Sequence, residues 1–143
     1  MEVNGFKGAE DEYMKAFEAL RNNDNKNAII EAAKAFESAM KTICSKRKYR
    51  FNPEKASAKD LIKTLKDNGF FPTYLDYQLD SIVHLLESGA TVVRNKTSAH
   101  GQGEDVVTIP DSYAKYVIGT VAVNMVFLVQ IYNGNQYNNN ERI

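Results

Sequence analysis

Apolar residues recur at intervals of three and four along most of the chain, the spacing that is typical of amphipathic α-helices. One such segment runs to about Arg21. A second runs from about Lys26 to Lys46 and would be roughly 30 Å long. Because only a polar turn at 22–25 separates them, they are predicted to form a long antiparallel helical hairpin. Their apolar stripes are Ala9, Tyr13, Ala16, Phe17 and Leu20, and then Ala28 or Ile29, Ala32, Ala33, Phe36, Met40, Ile43 and Cys44.

Start and stop signals delimit a third, shorter helix. After a break that contains Pro53, the residues from Ser57 to Asp60 resemble a capping box in which Asp replaces the usual Glu. Asn68-Gly69 predicts the end of this helix, because glycine readily adopts the left-handed conformation that stops a helix. The apolar face between these signals is Leu61, Ile62 and Leu65.

Two further helices complete the predicted bundle. The apolar face of the fourth is Leu75, Leu79, Ile82, Val83 and Leu86. Gly89 is expected to kink or end this helix, with 91–96 as one or two further turns. A glycine-flanked loop and an extended segment at 106–109 follow, and the last helix is predicted from Pro110 to about Tyr132. The fold class is therefore predicted to be all-α, a bundle of four to five helices.

Length and composition indicate one domain. The chain has 143 residues, of which 43% are hydrophobic, enough for a single core. We expect this core to span about 9–132 and the asparagine-rich segment 133–143 to be a flexible tail. The eighteen basic and eighteen acidic residues cancel. This balance argues against a protein that coats nucleic acid non-specifically, but it allows a local basic patch.

Cys44, the one cysteine, falls in an apolar helical register and is predicted to be a buried thiol rather than a nucleophile.

The distribution of apolar residues also indicates where in the cell the protein is expected. The most apolar stretch, Val117 to Tyr132, is interrupted by polar residues and is shorter than the ~20 residues that a membrane span needs. The start of the chain has no basic and apolar blocks of a secretory signal. We therefore expect a cytoplasmic protein without a membrane segment.

The chain has two histidines in different settings. His84 falls on the fourth helix with Asp80 and Glu87 at offsets of four and three, so it shares their polar face. It is predicted to be a surface residue. His100 falls where a helix gives way to a glycine-rich loop, six residues after Arg94.

Arg94 and His100 could together form a phosphodiester site. On one straight helix they would point about 120° apart, so they can converge only if the helix stops between them, which Thr97, Ser98 and Gly101 permit. A guanidinium can hold a phosphate through two parallel hydrogen bonds, and an imidazole can transfer a proton near neutral pH. The spacing alone also fits a simpler alternative, in which Arg94 caps a helix end and His100 is a loop residue.

The segment from Arg94 to Gly101, RNKTSAHG, resembles the motif of the HEPN superfamily, in which Arg, four to six intervening residues and His follow a late helix. The helix at 24–41 is similar to the long hairpin helix of the branch found at the C-termini of abortive-infection proteins. The His-Gly-x-Gly sequence that begins at His100, and a last helix with Asn124 and a Phe-Leu pair, are similar as well. The similarity spans about 9–132.

The resemblance implies an endoribonuclease that uses no metal and no cofactor and leaves a cyclic phosphate on RNA. It implies that Arg94 holds the phosphate and that His100 transfers protons. Asn95 would orient the scissile phosphate or the imidazole, and Glu37 on the second helix would support Arg94. An exposed Glu37 paired with a neighbouring lysine is an equally good interpretation of that residue.

The resemblance also implies partners. One chain offers one suitable histidine, whereas a homodimer brings two Arg94/His100 pairs into one cleft. Its twofold interface is expected near these residues, with the last helix as a second possibility. Which histidine acts as base is left open. The expected partners are RNA, a second copy, and either a fused domain or an antitoxin, in prokaryotic defence or a toxin system.

The basic run at 46–50 suggests a second contact with RNA. Lys46, Arg47, Lys48 and Arg50 could lie along the RNA backbone, with Tyr49 available to stack on a base. The alternative is a solvated helix end, where cations suit the helix dipole without any ligand.

A competing function is a catalytically inactive helical module for RNA binding or dimerisation. Its predicted interface is the apolar side of the last helix, formed by Val117, Val121, Met125 and Leu128. A nucleotide-binding helper of a nucleotidyltransferase is a weaker alternative, because that variety carries Tyr after the motif histidine and Gly101 stands here.

Overall fold

The computed structural model describes residues 5–96 and 109–134, which form five α-helices and one 3₁₀ turn. The helices are α1 (Lys7–Arg21), α2 (Asn25–Lys46), α3 (Ala58–Asp67), α4 (Asp76–Lys96) and α5 (Asp111–Gly134), and the turn is Thr73–Leu75. No β-strand occurs in this part of the chain. The predicted all-α bundle is confirmed. α2 is its central helix, because it contacts each of the other four.

Small residues let α1 and α2 pack closely as a hairpin. Ala9 and Ala16 of α1 are buried, and α2 contributes four buried alanines, Ala28, Ala32, Ala35 and Ala39. Phe17, predicted as part of the apolar stripe, is 42% exposed. That prediction is wrong because the contact face is centred on the two alanines, and Phe17 lies about 100° around the helix from Ala16. Phe6, just before α1, is buried instead.

Side-chain caps begin two of the helices. The Asp24 carboxylate accepts a hydrogen bond from the Asn27 backbone N–H at 3.3 Å, at the start of α2. The capping box before α3 is confirmed: Ser57 N–H donates to Asp60 Oδ2 at 3.0 Å, and Asp60 N–H donates to Ser57 Oγ at 3.3 Å. The hydrogen bonds from the Ser57 backbone and hydroxyl lower the pKa of the Asp60 carboxyl. The start of α3 is thus defined by local sequence.

Three helices end in the same hydrogen-bonded motif. The residue after each C-cap is left-handed: Asn23 (φ 61°), Lys48 (φ 59°) and Gly69 (φ 72°). The following N–H group bonds to a carbonyl five residues back, in the pairs Asp24–Ala19, Tyr49–Cys44 and Phe70–Leu65. This is the Schellman motif. Glycine and asparagine suit its left-handed position, whereas lysine is an unusual occupant.

The core is built around α2. Its largest buried side chains are Phe36, Met40 and Ile43, and α2 contacts both α3 and α5. Burying a side chain of this size contributes about 1.5–3 kcal/mol. The predicted stripe of α2 is therefore confirmed at these positions, although Ala33 is only partly buried.

α4 continues through the glycine that was expected to interrupt it. Gly89 does not end the helix, which is unbroken from Asp76 to Lys96. Leu86 and Val93, on either side, are 6% and 7% exposed and anchor both halves to the core. Glycine in a helix costs about 1 kcal/mol relative to alanine, less than the burial of these two side chains contributes.

α5 is longer than predicted. It reaches Gly134, so 133 and 134 belong to the helix and not to the predicted tail, whose remaining residues lie outside the described part. This helix is long and apolar enough to cross a membrane by length and composition, with 39% of its most apolar window buried. The predicted shortness applies to the apolar stretch at 117–132 and not to the whole helix, and a helix buried in the core of a bundle passes the same test of length and composition. Seven of its residues are buried in the bundle: Ala114, Val117, Ile118, Val121, Met125, Leu128 and Val129.

Candidate functional site

Arg94 and Asn95 lie in the last turn of α4. The helix reaches Lys96, so the chain can turn back toward Arg94 only after that residue. Val93, the preceding residue, is buried. The side chains of Arg94 and Asn95, and the whole of His100, lie outside the described part of the chain. The convergence of the guanidinium and the imidazole therefore stays a prediction.

α4 passes close to the starts of α2 and α5 just before it reaches the motif. A Cβ placed on Gly89 would lie 3.4 Å from Ile29 Cγ2 and 3.8 Å from the Tyr113 hydroxyl oxygen. Ile29 and Tyr113 belong to the first two turns of α2 and α5. Arg94 follows five residues after Gly89, which corresponds to about 7.5 Å along α4.

Hydrogen bonds from the Asn25 side chain connect the start of α2 to Ile109 and Asp111, which follow the segment that contains His100. The amide nitrogen Nδ2 of Asn25 donates hydrogen bonds to the carbonyl oxygen of Ile109 at 2.8 Å and to Oδ1 of Asp111 at 2.6 Å. Its Oδ1 is buried and has no hydrogen-bond partner among the described residues. Ile109 is itself buried. Asn25 therefore positions the chain where it re-enters the bundle.

This role of Asn25 was not predicted, because the sequence at 22–25 indicates only a polar turn. The bonded residues are 84 and 86 positions away. No local pattern indicates such partners.

Glu37 is part of α2, and its carboxyl lies near Glu12 of α1 and the Ala58 backbone at the start of α3. Burial raises the pKa of its carboxyl, and the charge of Glu12 adds to this effect. Lys41 and a hydrogen bond from the Ala58 backbone N–H act in the opposite direction. The described surroundings of Glu37 are thus those of a half-buried acid at the N-terminus of α3. Its predicted support of Arg94 stays a prediction.

The structure divides the basic run at the end of α2 into two parts. Arg47 Nη2 donates a hydrogen bond to the Tyr132 carbonyl oxygen at 2.8 Å, and its guanidinium lies 4.8 Å from the centre of the Tyr132 ring. Lys46, Lys48 and Arg50 are exposed. Arg47 thus connects two helices, whereas the other three cations face solvent.

His84 is exposed, as predicted. It lines a groove of about 350 Å³ between α3 and α4. Lysines of α3 and acidic residues of α4 face each other there, and Lys66 Nζ lies 2.8 Å from Asp80 Oδ1. The residues around the groove are Lys59, Ile62, Lys63, Lys66, Asp80, Val83, His84 and Glu87.

Neither the cysteine nor a metal cluster supplies chemistry within the described residues. Cys44 is fully buried, and burial raises the pKa of its thiol to about 11. The thiol is therefore protonated at neutral pH, which confirms the predicted buried cysteine. Across 5–96 and 109–134, no three His, Cys, Asp or Glu residues are grouped to hold a metal ion.

Comparison with protein families identifies the chain. The model of the HEPN-like domain family (Abi_C) matches residues 7–132. The chain belongs to the HEPN-like domain family. The predicted membership of the HEPN superfamily, in its abortive-infection C-terminal branch, is confirmed. Searches of curated proteins and of solved structures found no significant match.

The match covers all five helices of this HEPN-like domain except the last two residues of α5. It also includes the whole segment from Arg94 to Gly101. The residues that the resemblance assigned to the site therefore all fall inside the family domain: Arg94 and Asn95 on α4, Glu37 on α2, and His100 four residues after the end of α4 in the sequence.

One predicted interface of the HEPN-like domain is wrong. Val117, Val121, Met125 and Leu128 are at most 2% exposed and belong to the chain's own core. α5 is apolar on more than one side, so the 3–4 spacing marks its buried side. Its exposed side carries Tyr116, Val123 and Val126, which are 61%, 70% and 43% exposed.

Proposed function

We propose that the protein is a metal-independent endoribonuclease of a prokaryotic defence or toxin type, acting in the cytoplasm as a homodimer. The observation that carries this proposal is the family match over 7–132, together with an Arg-x5-His sequence at the end of α4. The family membership supports a nuclease or abortive-infection role, and the residues Arg94 and His100 supply a specific chemistry for it.

RNA carries its own nucleophile in this mechanism. A histidine removes the proton of the 2′-hydroxyl, and the 2′ oxygen attacks the adjacent phosphorus. The bond from phosphorus to the 5′ oxygen breaks, and a second acid protonates this leaving oxygen. The products are a 2′,3′-cyclic phosphate and a free 5′-hydroxyl. Arg94 stabilises the negative charge of the pentavalent phosphorane through charge-assisted hydrogen bonds.

The need for two proton transfers supports a dimer. Each chain supplies one His100, so a twofold axis near the ends of two α4 helices provides the base and the acid together. The exposed apolar side of α5, defined by Tyr116, Val123 and Val126, supports a further contact between subunits. Asn95 would orient the phosphate or the imidazole, and Glu37 would hold Arg94 in place.

The decisive experiment is RNA cleavage in excess EDTA. Wild-type protein should cleave mixed RNA and leave cyclic-phosphate ends. His100→Ala and Arg94→Ala should each lower the rate by about a hundredfold or more. His84→Ala is the matched control, because His84 is exposed on α4 and lies outside the motif. It should cleave like the wild type. A requirement for added metal, or cleavage that survives both motif substitutions, would refute the mechanism.

The second candidate is a catalytically inactive module that dimerises or binds RNA. The exposed apolar side of α5 favours it, since this surface is independent of the motif. Val123→Glu should convert a dimer to monomers in analytical ultracentrifugation without loss of helicity. A dimer that forms through α5, combined with no cleavage by the wild type, would favour this module over the enzyme.

A further inference from the structure

Positive charge is concentrated at the C-terminal end of α2, in a chain with no net charge. The ten residues at 41–50 contain five of the eighteen basic residues and no Asp or Glu. The helix dipole favours cations at this end of α2, and a local patch of this kind can also attract an anionic partner.

A cleft of about 410 Å³ opens within this cluster. Its lining combines the ammonium groups of Lys41 and Lys46 with hydroxyl groups and an aromatic ring; the residues are Gly5, Lys41, Thr42, Ser45, Lys46, Phe51 and Pro53. We call it the α2-end cleft. Ser45 is exposed at its edge and can donate a hydrogen bond to an anion. The Thr42 hydroxyl already donates to the Ser38 carbonyl oxygen at 2.8 Å.

Gly5 leaves room for one of the two lysines at the wall of the cleft. Gly5 has a φ of 97°, and a side chain there would collide with the end of the Lys46 side chain. The Cε and Nζ atoms of Lys46 therefore lie against the Gly5 backbone, in the space that a side chain at position 5 would occupy.

The cations around the cleft are available for a ligand, with one exception. Among residues 5–96 and 109–134, no ion pair involves Lys46, Lys48 or Arg50. The positive charge of Lys41 lowers the pKa of the Glu37 carboxyl, although the two side chains form no ion pair in the described part of the chain. Arg47 is the exception, because its guanidinium is held by Tyr132.

Aromatic residues alternate with the exposed cations beside the cleft. The order is Lys48, Tyr49, Arg50 and Phe51; both aromatic residues pack against the core and keep part of their surface exposed. Proteins that bind single-stranded nucleic acid typically place cations along the phosphate backbone and aromatic rings on which the bases stack. An acidic peptide would need the cations but not the rings.

We propose that the α2-end cleft, together with Lys48 and Arg50, binds the phosphodiester backbone of single-stranded RNA away from the scissile phosphate. The choice of RNA rests on the proposed function. Lys46 is seventeen residues from Ile29, the residue of α2 beside α4, which places the cleft about 25 Å along α2 from that crossing. The bound strand therefore extends well beyond the catalytic residues.

The test measures binding of a labelled single-stranded oligomer whose 2′-O-methyl groups prevent cleavage. Affinity is followed against salt concentration for the wild type and for a variant with Lys41, Lys46, Lys48 and Arg50 changed to Gln. Arg47 is kept. The control changes four other lysines to Gln, Lys15, Lys34, Lys59 and Lys115, and thus has the same net charge.

The cleft variant should bind about tenfold or more weakly at low salt, and the slope of log affinity against log salt should fall by about 0.7 for each lost phosphate contact. The control variant should stay close to the wild type. Equal losses in both variants, or an unchanged slope in the cleft variant, would overturn the proposal. Unchanged RNA affinity with lost binding to polyglutamate would overturn it in favour of an acidic protein partner.

RNA binding at the α2-end cleft can be tested separately from RNA cleavage. Binding to the uncleavable oligomer requires no catalysis, so His100→Ala should bind with the wild-type slope. If no RNA is cleaved but the cleft variant loses affinity and slope, the endoribonuclease fails and the RNA surface stands.

Discussion

Arg47 and Tyr132 join the C-terminal ends of α2 and α5. The guanidinium donates a hydrogen bond to the Tyr132 carbonyl oxygen at 2.8 Å and lies 4.8 Å from the centre of its ring. Phe6 also contacts the Tyr132 ring in an edge-to-face arrangement, with the ring centres 5.8 Å apart. One arginine thus donates to a carbonyl in the last turn of α5, where helices generally lack intrahelical donors for their carbonyl groups.

Replacing Arg47 should therefore weaken the fold. Arg47→Ala removes a charge-assisted hydrogen bond and a cation–π contact and should lower the free energy of unfolding by about 1–3 kcal/mol. Arg47→Lys should recover only part, because an ammonium group cannot stack as a planar guanidinium does. Urea denaturation measures both. The control is Arg50→Ala, an exposed arginine in the same run. Equal effects at 47 and 50 would contradict the distinction between them.

Lys48 should be the easiest position at which to stabilise the protein. It occupies the left-handed position of a Schellman motif with a φ of 59°. A left-handed residue with a Cβ costs about 1–2 kcal/mol, whereas glycine adopts this conformation freely. Lys48→Gly should therefore raise the free energy of unfolding by about 1 kcal/mol. Lys48→Ala is the control and should not, because alanine keeps the Cβ. A stabilised alanine variant would point to charge repulsion instead of backbone strain.

Much of the fold could be predicted because its boundaries are local. The capping box at Ser57 and Asp60 and the stop at Gly69 need only residues a few positions apart. Periodicity found the large buried residues of α2, Phe36, Met40 and Ile43, but it missed the buried Ala35 and Ala39. It failed for α5, because a helix that is apolar on several sides has no unique stripe. Val117 and Met125 were therefore assigned to a partner surface, although they fill the core.

The candidate site was less predictable, because its surroundings are built by distant parts of the chain. Asn25 reaches residues more than eighty positions away, and Arg47 is distinguished from Lys46 only by a ring that lies 85 positions along the chain. Residue types and spacing show that Arg94 and His100 are suitable for phosphodiester chemistry. They do not determine which end of the bundle holds the motif.

Glu37 should lower the free energy of unfolding as pH rises, whereas an acid in a salt bridge, whose pKa is lowered, raises it. Its folded pKa is raised, chiefly by burial, so the ionised form is disfavoured in the folded state and stability is lost as pH rises through that pKa. Glu37→Gln should thus be more stable than the wild type at pH 7, by less than about 1 kcal/mol because solvent screens a half-buried carboxyl. The difference should vanish below about pH 4.3, the ordinary pKa of glutamate.

Glu18→Gln, an exposed glutamate of α1, is the control for this measurement and should change stability little at either pH. Thermal unfolding at pH 4 and pH 7 compares the variants. A Glu37→Gln protein that is less stable at pH 7 would contradict the assignment. Loss of cleavage at unchanged stability would instead support a role for Glu37 in holding Arg94.

Asn25 should matter both for stability and for the order of the chain beyond the motif. Asn25→Ala removes the donors to Ile109 and Asp111 and leaves a carbonyl without its partner, which should cost about 1–2 kcal/mol. Asn25→Asp should cost more, because it places a carboxylate against the Asp111 carboxylate and the Ile109 carbonyl. The excess should shrink in acid, as protonation relieves the repulsion. Hydrogen exchange at the first turn of α5 should accelerate in both variants. Asn27→Ala is the control, since the Asn27 side chain bonds only to nearby Asp24. If it accelerated exchange in α5 as much as Asn25→Ala, the link between the starts of α2 and α5 would not depend on Asn25.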